Sequence, residues 1–403
     1  MDNMSDWVQH MVEKSPQINQ MDVQNMGCLN FDKSMSQTVF SGLVKETSVQ
    51  QYPVSDRFLV FQLLTKMFQK YSEELKANRP EFLYGLLQLV EGERDPRCLL
   101  VVFRLMHSVI ESLDLDPYTE DVFEVISCYF PILFTPTPDD EYGITKEDLS
   151  GELHRCFTAC PQFAPFLFPL VLEKLESELI TAKIDSYKVI EGVSRNYGYE
   201  RINQFIPQLW TAIRVDVLKP KLLETEISEH ALKALISISD AMIENELMFD
   251  SFTKQIWTDI SNAFNKPELD LVDSGVSIML ATISSNAYAF NQMITQLMPI
   301  LLKQFTFCQK ESTRVVIIES ISRILSHSRN ISQKQINLIN FESLFTLMTS
   351  LSVADTETDN IRESVVSCLQ QLIQLKEMNE NKWEIITKVL HSLLDNCLNG
   401  QQL

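Results

Sequence analysis

Five segments of one type recur along the chain: IDSYKVIEGV, ISEHALKALI, VDSGVSIMLA, KESTRVVIIE and TDNIRESVVS. Each has a short polar or acidic lead-in, followed by a helix-forming run whose small and aliphatic residues fall on one side. The lead-in residues Asp185, Ser228, Asp273, Glu311 and Asp359 stand 43, 45, 38 and 48 positions apart. That spacing is the period of HEAT and armadillo repeats, whose unit is a bundle of two or three helices. Pro169, Pro207 and Pro299 keep the same register, each inside an apolar helical stretch, separated by 38 and then 92 positions. The omitted copy falls near Thr253, in DSFTKQIWTDI, which has the helix without the proline. Two series in one register predict an all-α solenoid of the HEAT/armadillo type, built from A and B helices. One pair cannot bury its own apolar face, so stability has to come from stacking on neighbours.

Glycine usage agrees. There are 10 glycines in 403 residues, well below the usual ~7%, and sheets with tight turns normally need more. Residues 1–55 are polar, rich in Gln, Met, Ser and Asn, and read as a weakly ordered segment. The array is expected over 56–399. It opens with DRFLVFQLLTKMFQKYSEEL, where Phe58, Phe61, Leu64, Phe68 and Tyr71 share a face, with Arg57, Gln62, Lys66, Gln69 and Lys70 mostly opposite. RPEFLYGLLQLVEGE follows as a second helix. Asp95-Pro96 and Asp116-Pro117 then each offer a capping carboxylate with proline at the first helical position, where its missing N–H does no harm. Further along, Arg314 and Arg362 follow Glu311 and Asp359 by three residues, in the manner of an inter-repeat charge ladder or of plain i to i+3 pairs.

The net charge is −20, spread along the chain. Such a surface repels phosphate backbones, so direct binding of nucleic acid is not expected. No apolar run reaches the length of a membrane span, and the N-terminus does not read as a secretory leader. An intracellular protein with reduced thiols is the expectation.

A catalytic or metal reading needs a constellation of residues. The best one is HRCFTACP, with His154, Cys156 and Cys160, and Cys128 upstream. Thiolates at i and i+4 share a helix face, but His154 points elsewhere, and the Cys-x2-Cys pairs of zinc and cluster sites do not occur. These cysteines read as core residues. His107, His230, His327 and His391 stand alone, and no nucleotide-binding or hydrolase motif is present. The expectation is no enzyme, no metal and no cofactor. Trp210, Trp257 and Trp383 lie on apolar helix faces and read as core, whereas Trp7 sits in the polar N-terminal segment.

Four long blocks carry a resemblance: EGERDPRCLLVVFRLMHSVI, FEVISCYFPILFTPTPDDEYGITKEDL, FAPFLFPLVLEKLESELITAKIDSY and FIPQLWTAIRVDVL. Through them residues 56–218 resemble the N-terminal region of the MMS-nineteen family of large HEAT-repeat proteins. Residues 219–399 fit that architecture by period. The resemblance implies a non-enzymatic adaptor of cytosolic iron-sulfur protein assembly, present in cytoplasm and nucleus. Its partners would be the targeting subunits of that machinery and apo-enzymes of DNA replication, repair and transcription, such as the helicase of transcription factor IIH and DNA polymerases. Rival readings are another HEAT scaffold, such as a nuclear transport receptor or a phosphatase scaffold, and a metal-binding enzyme using Cys128, Cys156 and Cys160.

The second block also contains the chain's main interruption. Phe130 to Phe134 is expected to close a B helix and pack on the array. Thr135 to Tyr142 then forms an acidic, proline-stiffened loop ending at Gly143, before a helix capped by Thr145 and Asp148. Phe134, Pro136, Pro138, Asp139, Asp140 and Tyr142 are the candidate partner-binding residues.

Overall fold

The computed structural model describes residues 33–46, 49–136, 142–218, 225–265, 271–283, 286–329, 331, 341–352, 358–375, 383–388 and 391. These residues form sixteen α-helices and three short 3-10 turns, with no strand among them. They divide into two units, Met1–Arg201 and Ile202–Leu403.

In the first unit the helices are α1 (Lys33–Glu46), α2 (Val54–Ala77), α3 (Arg79–Val90), α4 (Pro96–Ser112), α5 (Thr119–Ser127), α6 (Lys146–Ala159), α7 (Ala164–Leu175) and α8 (Ile180–Ile202). The A-type helices α2, α4 and α6 stack in succession, and α1, α3 and α5 form the second layer. The array thus begins upstream of position 56, where the sequence pattern put it. Val39, Phe40 and Leu43 of α1 are buried. This became possible because residue 85 is glycine: a Cβ there would lie 2.6 Å from Val44 and 3.0 Å from Phe40. Residues 1–32, Trp7 included, lie outside the described residues.

In the second unit the helices are α9 (Ile206–Leu218), α10 (Thr225–Met242), α11 (Glu246–Asn265), α12 (Val272–Ile283), α13 (Ala287–Phe307), α14 (Glu311–Ser328), α15 (Phe341–Ser352) and α16 (Asp359–Leu375). Here α10, α12, α14 and α16 stack in turn, α11 packs on α13, and each of α9, α11, α13 and α15 packs on the A helix that follows it. The fold is an all-α, HEAT-type solenoid. Three lead-in residues mark real helix starts, since Asp273, Glu311 and Asp359 lie in the first turns of α12, α14 and α16, whereas Asp185 lies inside α8, past its first turn, and Ser228 follows the start of α10 at Thr225. Pro169 and Pro299 lie inside α7 and α13, and Pro207 is the second residue of α9.

The polar bonds between repeats also keep the period. Arg104 reaches Glu152 at 2.9 Å, and the Trp210 indole donates to Asp259 at 2.7 Å. Glu311 accepts from Thr358 at 2.7 Å and Asn360 at 3.0 Å. Glu311 therefore serves the next A helix rather than Arg314, whose guanidinium lies 4.4 Å over the Phe305 ring. Arg362 does pair with Asp359, at 3.2 Å. Trp210 is core and Trp257 stacks on Phe264 at 6.0 Å, but Trp383 is 51% exposed and is no core residue. Among the described residues no single helix is long and apolar enough to cross a membrane.

Candidate functional site

The block EGERDPR builds a turn that fixes the start of α4. Arg57, expected on the solvent side of α2, instead reaches inward to Glu93, which has no exposed side-chain surface. Its Nε and Nη2 donate to the two Glu93 oxygens at 2.9 and 3.0 Å, and Nη1 donates to the Tyr52 carbonyl at 2.8 Å. Glu93 Oε1 also accepts from the backbone N–H groups of Arg94 and Asp95, both at 2.8 Å. Asp95 caps α4 by accepting from the Arg97 N–H at 3.0 Å, and its two oxygens accept from the Arg97 guanidinium at 2.8 Å each. Those guanidinium bonds hold the Asp95 carboxyl below the usual carboxylate range. The second expected cap is different. At Asp116-Pro117 the chain makes a turn, with Tyr118 N–H on Leu115 O at 2.6 Å, so α5 begins at Thr119 with no side-chain cap.

The interrupting stretch is rooted on this scaffold. Phe130 is buried, edge-on to Phe157 at 5.9 Å, and Phe157 lies 5.9 Å from Phe123. Ile132 is buried too, while Leu133 is 74% exposed, Phe134 half-buried, and Thr135 and Pro136 exposed. On the return, Tyr142 stands 61% exposed with the Arg97 guanidinium 4.4 Å from its ring centre. Gly143 has φ +61°, a conformation that L side chains adopt at a penalty. Ile144 is buried, and Thr145 then caps α6: its hydroxyl accepts from Asp148 N–H at 3.1 Å, and Asp148 accepts from Thr145 N–H at 2.8 Å. This is the capping box that the sequence suggested. Of the candidate residues, Phe134, Pro136 and Tyr142 are described, and Pro138, Asp139 and Asp140 lie outside the described residues.

Tyr142 and Ile144 wall one end of a surface groove of about 760 Å³ between α2 and α4. Its sides are Phe58, Leu59 and Gln62 from α2, and Arg97, Leu100, Val101 and Arg104 from α4. The α4 residues were not singled out from the sequence. The usable signal is their spacing, i, i+3, i+4 and i+7, which gives α4 a second stripe opposite the buried Cys98, Leu99, Val102, Phe103 and Met106.

The three candidate thiols are engaged within the fold. Cys156 Sγ donates to Phe103 O at 3.2 Å, Cys128 Sγ to Val125 O at 3.1 Å, and Cys160 Sγ to the Gln162 side chain at 3.4 Å. Burial pushes the Cys156 and Cys160 thiols above their ordinary value, and Cys98 up to about 12. A protonated thiol is neither nucleophile nor ligand. Among the described residues no three His, Cys, Asp or Glu side chains are grouped to hold a metal ion.

Residues 10–219 match the family model MMS19_N, described as Dos2-interacting transcription regulator of RNA-Pol-II. The human MMS19 nucleotide excision repair protein homolog is 34% identical over 299 residues, covering 73% of this chain and 29% of the human protein. Its Xenopus laevis counterpart is 32% identical over 338 residues, 82% of this chain and 33% of that protein. The Drosophila melanogaster MMS19 nucleotide excision repair protein is 28% identical over 371 residues, 89% of this chain and 38% of that protein. The chain thus spans about a third of the length of these relatives. With the family model matched over more than half of its residues, on a helical-repeat frame held by the Glu93 turn, the chain belongs to the MMS19 family.

Proposed function

We propose that this protein is a non-enzymatic adaptor that serves nucleotide excision repair through iron-sulfur protein assembly. It would bring the cytosolic targeting subunits of that machinery to apo-enzymes of DNA replication, repair and transcription, including the helicase of transcription factor IIH and DNA polymerases. The cluster is cargo in this reading, not a resident cofactor. One observation carries the proposal: the family match from residue 10 to 219 takes in the stacked helices in which Cys128 and Cys156 donate to backbone carbonyls. The net charge of −20 supports it, since such a protein can influence repair through its clients without holding DNA.

The test is affinity capture of the tagged 403-residue chain from extract of its own cells, read by quantitative mass spectrometry. Recovery of targeting subunits together with iron-sulfur helicases or polymerases is expected. Recovery of karyopherin cargo or phosphatase subunits in their place would reject the adaptor reading. So would stoichiometric iron or zinc, retained by the purified chain through Cys128, Cys156 and Cys160.

A further inference from the structure

The groove between α2 and α4 differs in chemistry from the chain around it. The sequence holds 54 acidic against 34 basic residues, yet among the described residues no carboxylate lines this groove and its charged residues are Arg97 and Arg104. Phe58, Leu59, Leu100 and Val101 are all half-buried along it, each keeping part of its apolar surface in water. Apolar surface of this kind gains free energy when a partner removes it from water.

The positive charge is not evenly cancelled. Asp95 answers Arg97. Arg104 and Arg155, 56% and 57% exposed, share the single carboxylate of Glu152, each at 2.9 Å. Asp148 also lies within the field of Arg104, but its carboxylate is turned onto the Thr145 N–H and hydroxyl, at 2.8 and 2.7 Å. Among the described residues, two guanidiniums on one carboxylate leave donors and a local surplus of positive charge beside Arg104 at the groove's edge.

We propose that this groove docks a short acidic-hydrophobic segment of a partner protein. Its bulky apolar side chains lie on Phe58, Leu59, Leu100 and Val101, and its flanking Asp or Glu residues bond Arg104 and Arg155. Guanidinium–carboxylate bonds set register and orientation, while the desolvated apolar anchors supply most of the affinity. Tyr142, held against Arg97, closes one end, which makes Tyr142 and Ile144 part of the same surface. The proposal rests on the adaptor reading and gives it a partner chemistry.

The experiment uses the full chain and a fluorescein-labelled synthetic peptide alternating Glu and Asp with Leu, Phe and Trp, followed by fluorescence anisotropy. Saturable binding is expected, weakened about tenfold or more by Arg104→Glu and largely kept by Arg104→Lys. A second variant, Leu100→Ser, should weaken it as well, with circular dichroism confirming that both proteins fold. Hydrogen exchange should slow in 54–62 and 97–104 when the peptide is bound. No binding, equal binding by the folded variants, or equal binding of the Lys-for-acid peptide would overturn the proposal. Displacement of the peptide by a single-stranded DNA oligonucleotide that binds more tightly would overturn it too. Extract capture separates the two readings: groove-dependent peptide binding without assembly subunits rejects the adaptor role alone, and their capture by a chain that ignores the peptide rejects the groove alone.

Discussion

The two units of this protein fasten their repeats by different physics. In the first unit several fastening groups are buried, although Arg104 on Glu152 is 56% exposed. Glu93 receives four hydrogen bonds out of water, Lys146 stands 2.9 Å from an Asp185 carboxylate that is 4% exposed, and the buried Tyr197 hydroxyl donates to Phe157 O at 2.7 Å. In the second unit most rungs stand in solvent. Arg323 bonds Asp273 and Ser277, with Arg323 and Asp273 43% and 57% exposed, and Arg329 bonds Gln374. Trp210 on Asp259 and Ser228 on the Asp216 carbonyl are partly buried exceptions. A buried polar group that loses its partner keeps its full desolvation penalty, whereas an exposed one returns to water. The first unit is thus tied to particular side chains, and the second to a spacing.

That contrast is broken most directly at Glu93. Glu93→Ala leaves Arg57 Nε and Nη2 and two backbone N–H groups without their acceptor, and removal of one member of a buried pair typically destabilises by about 3–5 kcal/mol. Urea unfolding of the variant should show the first unit melting well before the wild type. An unchanged midpoint would mean that the turn relaxes into water and that the two units are fastened alike.

Acid supplies the next largest effect. Burial beside Phe130 pushes His154 down to about 4 from an unfolded value of 6.5, with Asp185 opposing the shift and Lys188 and Lys146 assisting it. Between those values the unfolded chain holds a proton that the folded chain does not, so stability rises with pH across this window. It is complete above about pH 6.5 and is lost as pH falls toward 4, a change of about 3 kcal/mol. A pH series of thermal midpoints should show this slope, and His154→Phe should flatten it. A slope that survives the substitution would place the acid sensitivity elsewhere.

Gly85 tests whether the first unit's start belongs to the array. Gly85→Ala sets a Cβ within 2.6 Å of Val44, so α1 has to shift from α3. Overpacking of this sort destabilises by about 1–3 kcal/mol. Hydrogen exchange in 33–46 should accelerate before exchange elsewhere. Uniform acceleration would mean that α1 is no separate layer of the stack.

What the sequence disclosed follows the same division. Period and apolar stripes sufficed for the solenoid, because stacking asks only for a face every 38 to 48 positions. The Thr145 capping box was legible because both partners lie within four residues. Arg57 was misjudged because its acceptor is 36 positions away and helical pattern alone placed it in solvent. Helix α1 went unseen because its polar flanks diluted Val39, Phe40 and Leu43. The groove was missed for a related reason: Leu100 and Val101 continue the apolar run of α4 and read as more core until α2 is seen beside them.

The smallest predicted effect bears on the second unit. Asp273 and Arg323 are both mostly in solvent, so Asp273→Ala removes an attraction already screened by water and releases a long side chain that the pair had held. The loss should stay below about 1 kcal/mol and shrink further at high salt. Serial removal of exposed rungs in this unit should therefore lower the thermal midpoint by small steps, since each repeat leans chiefly on the apolar faces of α10, α12, α14 and α16. If one exposed rung instead cost as much as Glu93, the second unit would also depend on particular side chains, and its weaker sequence blocks would need a cause other than exposure.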